Sequence, residues 1–144
     1  MTIDKIMTQK IVTVEMDDSL KVVKEIFDHV HFHHLLVTNR DKLVGVISDR
    51  DLLKAISPNI DTNAETVHDT NSLNKRVHQI MAHKPVTLPA NAGIFEAISV
   101  FNRHNISCIP VINSEQQPVG IVSWRDILKM IEDNRERRNH SETP

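Results

Sequence analysis

The sequence is short of the residues that build several common kinds of functional site. It contains a single cysteine, Cys108, so it can form neither an internal disulfide nor a zinc site based on several cysteines, and it suits a reducing compartment. It contains three glycines and has no Gly-rich phosphate loop, no G-x-S-x-G turn and no H-E-x-x-H helix. We therefore expect a protein that is not an enzyme and that requires no cofactor.

Long apolar runs and an excess of one charge are missing as well. The first ten residues, MTIDKIMTQK, lack the apolar core of a signal peptide, and no apolar run approaches the length of a membrane span. The 17 basic and 19 acidic residues are mixed along the chain, so the net charge is only -2 and no broad positive field arises. We expect a cytoplasmic protein with no nucleic-acid partner and no membrane partner.

What the sequence does contain is an internal repeat. GVISDRDLLK at 45–54 returns as GIVSWRDILK at 120–129, and each copy opens with a glycine. A shift of 74 residues aligns the two halves from Ile6 to Val37, and one added residue near Gln116 carries the alignment into the second motif. Because repetition dictates architecture, we expect both halves to fold in the same way.

Each half has the pattern of a β-α-β-β-α unit. The segments IVTV and PVTL, HLLVT and CIPVI, and LVGVIS and VGIVS are rich in strand-forming residues, and the polar turns NRDK and NSEQQ predict hairpins. Apolar residues recur at helical spacing after the first strand and again in DLLKAI and DILKMI. The prediction is an α/β (α+β) fold with two β-α-β-β-α repeats.

The domain boundaries follow from the repeat. A unit of about fifty residues is marginal alone, so we expect the two repeats to pack as a pair with approximate two-fold symmetry. The first repeat is predicted at 1–58 and the second at 77–133. Residues 59–76 read as a polar connector that regains helical character after Ser72, and residues 134–144 read as a flexible tail.

The repeated strand-to-helix turn has two interpretations. The serine and the acid in Ser48–Asp51, and in Ser123–Asp126, have the spacing of a capping box at a helix start. Arg50 and Arg125, however, face the positive end of a helix dipole, at a cost of roughly 0.3–1 kcal/mol, which indicates a bound anion. Such a turn can bind a phosphate, and its aspartate can accept hydrogen bonds from two ribose hydroxyls. The residues alone leave both interpretations open.

These motifs, in this order and in duplicate, resemble a tandem pair of CBS domains, named after cystathionine β-synthase and also called a Bateman module. The resemblance covers about residues 3–131 and rests on G-h-h-S-x-R-D in each repeat, h-h-T in each first strand and CIPVI before the second hairpin turn. It implies a regulatory, energy-sensing module that binds an adenine nucleotide such as AMP, ADP or ATP. It also implies a homodimer or an effector protein that receives the signal.

The resemblance assigns a role to each part of the turn. In similar modules the aspartate binds the ribose hydroxyls, the serine or threonine assists near the ribose or phosphate, and adenine lies in an apolar cleft. One cleft is then expected to combine Ser48 and Asp51 with Ser107, Cys108 and Pro110, and the other Ser123 and Asp126 with His33, His34 and Leu36. Thr13, Thr87, Arg50 and Arg125 complete the nucleotide-binding candidates.

The two expected clefts differ in charge. His33 and His34 match positions that are often basic in relatives and reach phosphates, whereas the other cleft has neutral residues there. Asp49 adds negative charge beside the first cleft, and Trp124 takes its place in the second. We therefore expect the cleft with Asp126 to bind adenine nucleotides more tightly, with affinity rising as the pH falls through the histidine range near 6.5.

Two other functions stay open. The chain can be a structural or interaction module whose clefts bind no ligand, and Trp124 fits that function as an apolar contact with a subunit or the core. The histidine-rich run at 29–34 also suggests a metal sensor, but alternate residues of an extended chain point to different faces, so we expect no metal site. Cys108 is expected to be a buried, unreactive thiol.

Overall fold

The computed structural model describes residues 1–142 and contains two compact units. The first unit spans Val12–Pro85 and holds residues 12–58 of the first predicted repeat, the connector, and residues 77–85 of the second predicted repeat. The second unit combines Met1–Ile11 with the chain from Val86 onward and holds the second predicted repeat from residue 86. Both units contain a β-sheet and helices, so the predicted mixed α/β fold class is confirmed.

The first unit contains the predicted β-α-β-β-α order. Its elements are β1 (Thr13–Glu15), α1 (Leu20–His29), β2 (His34–Asn39), β3 (Lys42–Ser48) and α2 (Asp49–Ala55). Strand β1 pairs with β2 in parallel, and β2 and β3 form an antiparallel hairpin.

The chain that follows the connector contributes a fourth strand to the first unit. Helices α3 (Val67–Asn71) and α4 (Val77–Ile80) precede β4 (Ala82–His83), which pairs with β3 in antiparallel orientation. The sheet order is therefore β1-β2-β3-β4. The sequence analysis did not predict β4, because two residues carry too little pattern to identify a strand.

The second unit has the same order on a three-stranded sheet. Its elements are β5 (Leu88–Pro89), α5 (Ile94–Arg103), β6 (Cys108–Ile112), β7 (Pro118–Ser123) and α6 (Trp124–Glu142). Strand β5 pairs with β6 in parallel, and β6 and β7 form the second hairpin. The backbone is helical over 134–142, part of the predicted flexible tail, and residues 143–144 of that prediction lie outside the described residues.

Each unit has its own hydrophobic core. In the first unit, Leu35 and Ile47 of the hairpin are fully buried with Leu20 of α1. In the second unit, Ile109 of β6 is fully buried together with Ile3, which lies in the N-terminal segment. Burial of each such side chain contributes about 1.5–3 kcal/mol. The N-terminal segment is thus a structural part of the second unit.

At Gly45 and at Gly120 the side chain of a methionine packs against the hairpin backbone. A Cβ atom on Gly45 would be 2.5 Å from the Sδ of Met81 and 2.9 Å from the next carbonyl oxygen of the chain. On Gly120 the same distances would be 2.5 Å to Met7 and 3.1 Å to the following carbonyl oxygen. Both copies of the strand-to-helix motif therefore begin with glycine, because a larger side chain would collide with the methionine and the carbonyl oxygen.

The connector contains a further capping box, between Thr66 and Asp69. Asp69 is buried, and its Oδ1 accepts a hydrogen bond from the Ser57 hydroxyl at 2.6 Å while its Oδ2 accepts from the Thr66 backbone N–H at 2.9 Å. The hydrogen bond from Ser57 is the main cause of a lowered Asp69 pKa. Helical character therefore begins at Val67, earlier than the predicted return after Ser72, and the T-x-x-D spacing was the available signal.

Candidate functional site

The Ser48–Asp51 turn of the first unit is a reciprocal capping box. The Ser48 hydroxyl oxygen accepts a hydrogen bond from the Asp51 backbone N–H at 3.0 Å, and Asp51 Oδ2 accepts one from the Ser48 backbone N–H at 2.9 Å. Both side chains are half-buried at the end of β3. The serine and the aspartate therefore hold each other at a fixed place.

The Ser123–Asp126 turn of the second unit repeats this geometry. The Ser123 backbone N–H donates to Asp126 Oδ2 at 2.8 Å, and the Ser123 hydroxyl donates to the same oxygen at 3.1 Å. The Asp126 backbone N–H completes the turn by donating to the serine hydroxyl oxygen at 3.4 Å. The capping interpretation of the repeated turn is thus correct in both units.

Capping uses only part of each turn's hydrogen-bonding capacity. The cap occupies Oδ2 of Asp51 and of Asp126, while Oδ1 of each carboxylate accepts no hydrogen bond from any residue that the structure describes. Arg50 and Arg125 are exposed, and neither forms an ion pair within residues 1–142. Each turn therefore has a carboxylate with only one of its two oxygens hydrogen-bonded, next to a guanidinium that forms no ion pair within residues 1–142.

His34 and Cys108 are the residues across the hairpin from the two serines. His34 pairs with Ser48 in the β2–β3 register, and Cys108 pairs with Ser123 in the β6–β7 register. Burial lowers the pKa of His34, although the neighbouring Asp49 raises it. Burial raises the pKa of the Cys108 thiol to about 12, so the thiol stays protonated and unreactive.

His33 is joined to Asp49, the residue that follows Ser48. The imidazole Nδ1 lies 2.9 Å from Asp49 Oδ2, and the Asp49 backbone N–H donates to the His33 carbonyl oxygen at 3.0 Å. The sequence analysis assigned His33 to one cleft and Asp49 to the other and missed this contact between them. Sixteen residues separate the pair, so only the hairpin brings the two side chains together.

Trp124 occupies the position of Asp49 in the second unit and makes different contacts. Its indole N–H donates to the carbonyl oxygen of Ile106 at 3.2 Å, and its ring centroid lies 5.8 Å from that of Phe101. The side chain nevertheless remains 54% exposed. Trp124 therefore links the segment before β6 to the start of α6 through a hydrogen bond, and part of its apolar surface remains exposed.

The remaining candidates lie on the strands or next to them. Thr13 is exposed in β1 and pairs with the buried Leu36, while Thr87 is half-buried before β5. Ser107 is exposed, and Pro110 is fully buried within β6. The grouping of residues from opposite repeats into two clefts stays a prediction.

The described residues offer neither a cluster of metal-ligating side chains nor a membrane-spanning helix. Nowhere in residues 1–142 do three or more His, Cys, Asp or Glu side chains gather as a possible metal site. Over the same residues, no helix has both the length and the apolar character needed to cross a membrane.

The sequence is similar to proteins of several organisms. A CBS domain-containing protein from Dictyostelium discoideum is 29% identical over 131 residues, which cover 90% of each chain. Two proteins of Methanocaldococcus jannaschii are each 28% identical, and the chain spans only 36% and 47% of their length.

Solved structures share the fold. The CBS domain pair of protein MJ0100, in complex with 5′-methylthioadenosine and S-adenosyl-L-methionine, is 22% identical with a TM-score of 0.76, covering 93% of this chain and 98% of that one. Arabidopsis thaliana CBSX2 in complex with AMP is 21% identical with a TM-score of 0.76 and the same coverage. At these identities the likeness establishes the fold alone.

The family model gives the most direct assignment. The model described as "CBS domain" matches residues 3–58 and again 77–133, which together make up most of the chain. The two matches contain the two capped turns, at Ser48–Asp51 and Ser123–Asp126. The chain therefore belongs to the CBS domain family and carries a tandem pair of its repeats.

Proposed function

We propose that this protein is a non-enzymatic, ligand-sensing regulatory module that binds an adenosine-containing nucleotide of the AMP, ADP or ATP type at its repeated turns. One observation carries the proposal: the carboxylates of Asp51 and Asp126 are held by their caps through Oδ2 and keep Oδ1 unused. A ribose presents two neighbouring hydroxyl donors, which a fixed carboxylate accepts at little cost in conformational entropy.

The groups around each carboxylate suit the rest of a nucleotide. Arg50 and Arg125 each follow the capping serine by two residues, and each guanidinium can approach a phosphate. The protonated Cys108 thiol offers no nucleophile, which supports binding rather than catalysis.

The relatives support a regulatory role. MJ0100 and CBSX2 were solved with adenosine-containing ligands. The inosine-5′-monophosphate dehydrogenase of Methanocaldococcus jannaschii is 27% identical over 127 residues, which make up 23% of that enzyme. The matched region is thus a minor part of a longer enzyme. We propose that ligand binding acts by favouring one of two conformations of the protein, for readout by an effector in the cytoplasm.

The test is a calorimetric titration with AMP, ADP and ATP. Asp126→Ala and Asp51→Ala are each expected to weaken binding at their own turn at least about tenfold, because a charge-assisted hydrogen bond contributes about 1.5–3 kcal/mol. Asp69→Ala is the matched control, since Asp69 caps a helix in the same way but has no proposed ligand. Unchanged affinity in both turn variants would remove the assignment.

A second proposed property is homodimer formation through α5 and α6. Phe95 is 83% exposed, Leu128 63% and Ile131 53%, although all three are large and apolar. A groove of about 650 Å³ lies between the two helices and is lined by Ile98, Met130 and Ile131 among others. The groove is also lined by Asn134 and Arg135, and a largely apolar face of this kind is typical of a protein interface; it also supports the alternative function of an interaction module.

Dimer formation is tested by sedimentation velocity. Ile131→Glu is expected to shift the protein to monomer at micromolar concentration, because burying a carboxylate at an apolar interface is unfavourable. Leu53→Glu, at a 71% exposed position of α2 in the first unit, is the matched control and should leave the dimer intact. A monomeric unsubstituted protein, or a dimer that survives Ile131→Glu, would contradict this assignment.

A further inference from the structure

The imidazole assigned to the ligand phosphate already has an acidic partner. His33 Nδ1 and Asp49 Oδ2 are 2.9 Å apart, and the backbone hydrogen bond from Asp49 N–H to the His33 carbonyl oxygen, at 3.0 Å, fixes the two residues against each other. Both side chains are accessible, with 77% of His33 and 44% of Asp49 exposed. A phosphate within hydrogen-bonding distance of His33 would therefore also approach the Asp49 carboxylate.

The charges next to this pair favour neither a second nor a third phosphate. The charges that act on the His34 pKa include those of Asp49, Asp51 and His33. Burial lowers the pKa of His34, which is therefore neutral at pH 7. With the neighbouring Arg50 counted, two carboxylates then face one guanidinium and at most one charged imidazole, so the end of the β2–β3 hairpin carries no excess of positive charge.

We propose that Asp49 sets the charge class of the ligand at the histidine pair, so that adenosine derivatives with an uncharged or cationic 5′ substituent bind in preference to those with several phosphates. This inference rests on the proposed function and names Asp49 as its specificity-determining residue. The second unit has Trp124 at the matching position and lacks both the carboxylate and the histidines. The preference for an uncharged or cationic 5′ substituent is therefore a property of the first repeat alone.

The preference follows from charge repulsion. Each added phosphate brings one or more negative charges near Asp49, and like charges at short range are unfavourable even where water screens them. A neutral thioether, as in 5′-methylthioadenosine, meets no such repulsion. Removing the Asp49 charge should therefore improve binding of ATP and leave the neutral ligand unaffected.

The experiment is a calorimetric titration of the full chain with 5′-methylthioadenosine, AMP and ATP at low salt. In Asp49→Asn, we expect the ratio of the ATP Kd to the 5′-methylthioadenosine Kd to fall by about two- to five-fold, the range for an exposed charge pair. Asp41→Asn is the matched control, because it removes one exposed negative charge at the hairpin turn, and asparagine tolerates the positive φ of that position. Asp49→Glu should keep the preference of the unsubstituted protein.

The outcomes separate the two proposals. An unchanged ratio in Asp49→Asn, or equal weakening of all three ligands, would overturn the role of Asp49 while leaving nucleotide binding in place. An equal fall of the ratio in Asp41→Asn would show a general charge effect and would also overturn it. If the unsubstituted protein binds none of the three compounds, the proposed function itself fails.

Discussion

The two repeats share a backbone design and differ in the side chains that surround it. Both have a hairpin in which a glycine lies against a methionine side chain. In both, the same serine–aspartate cap joins the last strand to the following helix. Around the cap the residues diverge: His33, His34 and Asp49 of the first repeat correspond to Ser107, Cys108 and Trp124 of the second.

This difference separates residues needed for folding from residues free to define a ligand. The capping hydrogen bonds and the close approach at the glycines are the same in each unit because each hairpin must pass to its helix in the same way. The neighbouring positions meet no such requirement. We infer that one fold presents two chemically distinct sites, one with a histidine pair and an additional carboxylate and one without them.

The largest expected effect comes from the glycines. Gly45→Ala should destabilise the protein by about 1–3 kcal/mol, because the new Cβ would lie 2.9 Å from a strand carbonyl oxygen that cannot easily move. Gly120→Ala should cost less, since the new Cβ would lie 3.1 Å from the carbonyl oxygen there; in both variants the lost flexibility of the unfolded chain offsets about 0.4–1 kcal/mol. Urea denaturation measures both.

Gly93 supplies the control for these variants. A Cβ atom there meets no atom within 4 Å, and Gly93 caps α5 where the first repeat has Ser19. Gly93→Ser should therefore leave stability within about 0.5 kcal/mol of the unsubstituted protein. Equal losses at Gly45 and Gly120, or no loss at either, would break the comparison of the two hairpins.

A smaller effect is expected from His34. Its pKa is lowered in the folded state, so the unfolded chain binds a proton more readily, and stability is lost as the pH falls through about 6.5. His34→Gln should remove this contribution to the pH dependence of stability. The decrease in Tm between pH 7 and pH 5 should therefore become smaller by about 2 °C or less. His104→Gln, an exposed histidine of the second unit, is the control. An identical pH profile with and without His34 would contradict the account.

The same histidine refines the predicted pH dependence of nucleotide binding. Because burial keeps His34 neutral below its usual pKa, the predicted rise in affinity for phosphate-bearing ligands should occur at pH values under 6.5. The sequence could predict that a histidine lies there. It could not predict the direction of the shift, which depends on the burial of His34 in the folded hairpin.

Sequence reasoning reached the features that depend on local pattern. The repeat, the order of elements and the capping serine–aspartate pairs all follow from residues close together in the chain. It missed β4 and the His33–Asp49 pair, which exist only once distant segments meet. It also missed the Thr66–Asp69 box because its segment was read as connector, although the T-x-x-D spacing was present.

The most direct test is a titration with AMP followed by two-dimensional ¹H–¹⁵N NMR of the backbone amides. If a ribose binds to the free oxygen of the capping aspartates, the largest shifts will fall on Ser48, Asp51, Ser123 and Asp126, at one turn or at both. Shifts confined to α5 and α6, or no shifts at millimolar AMP, would contradict binding at the turns.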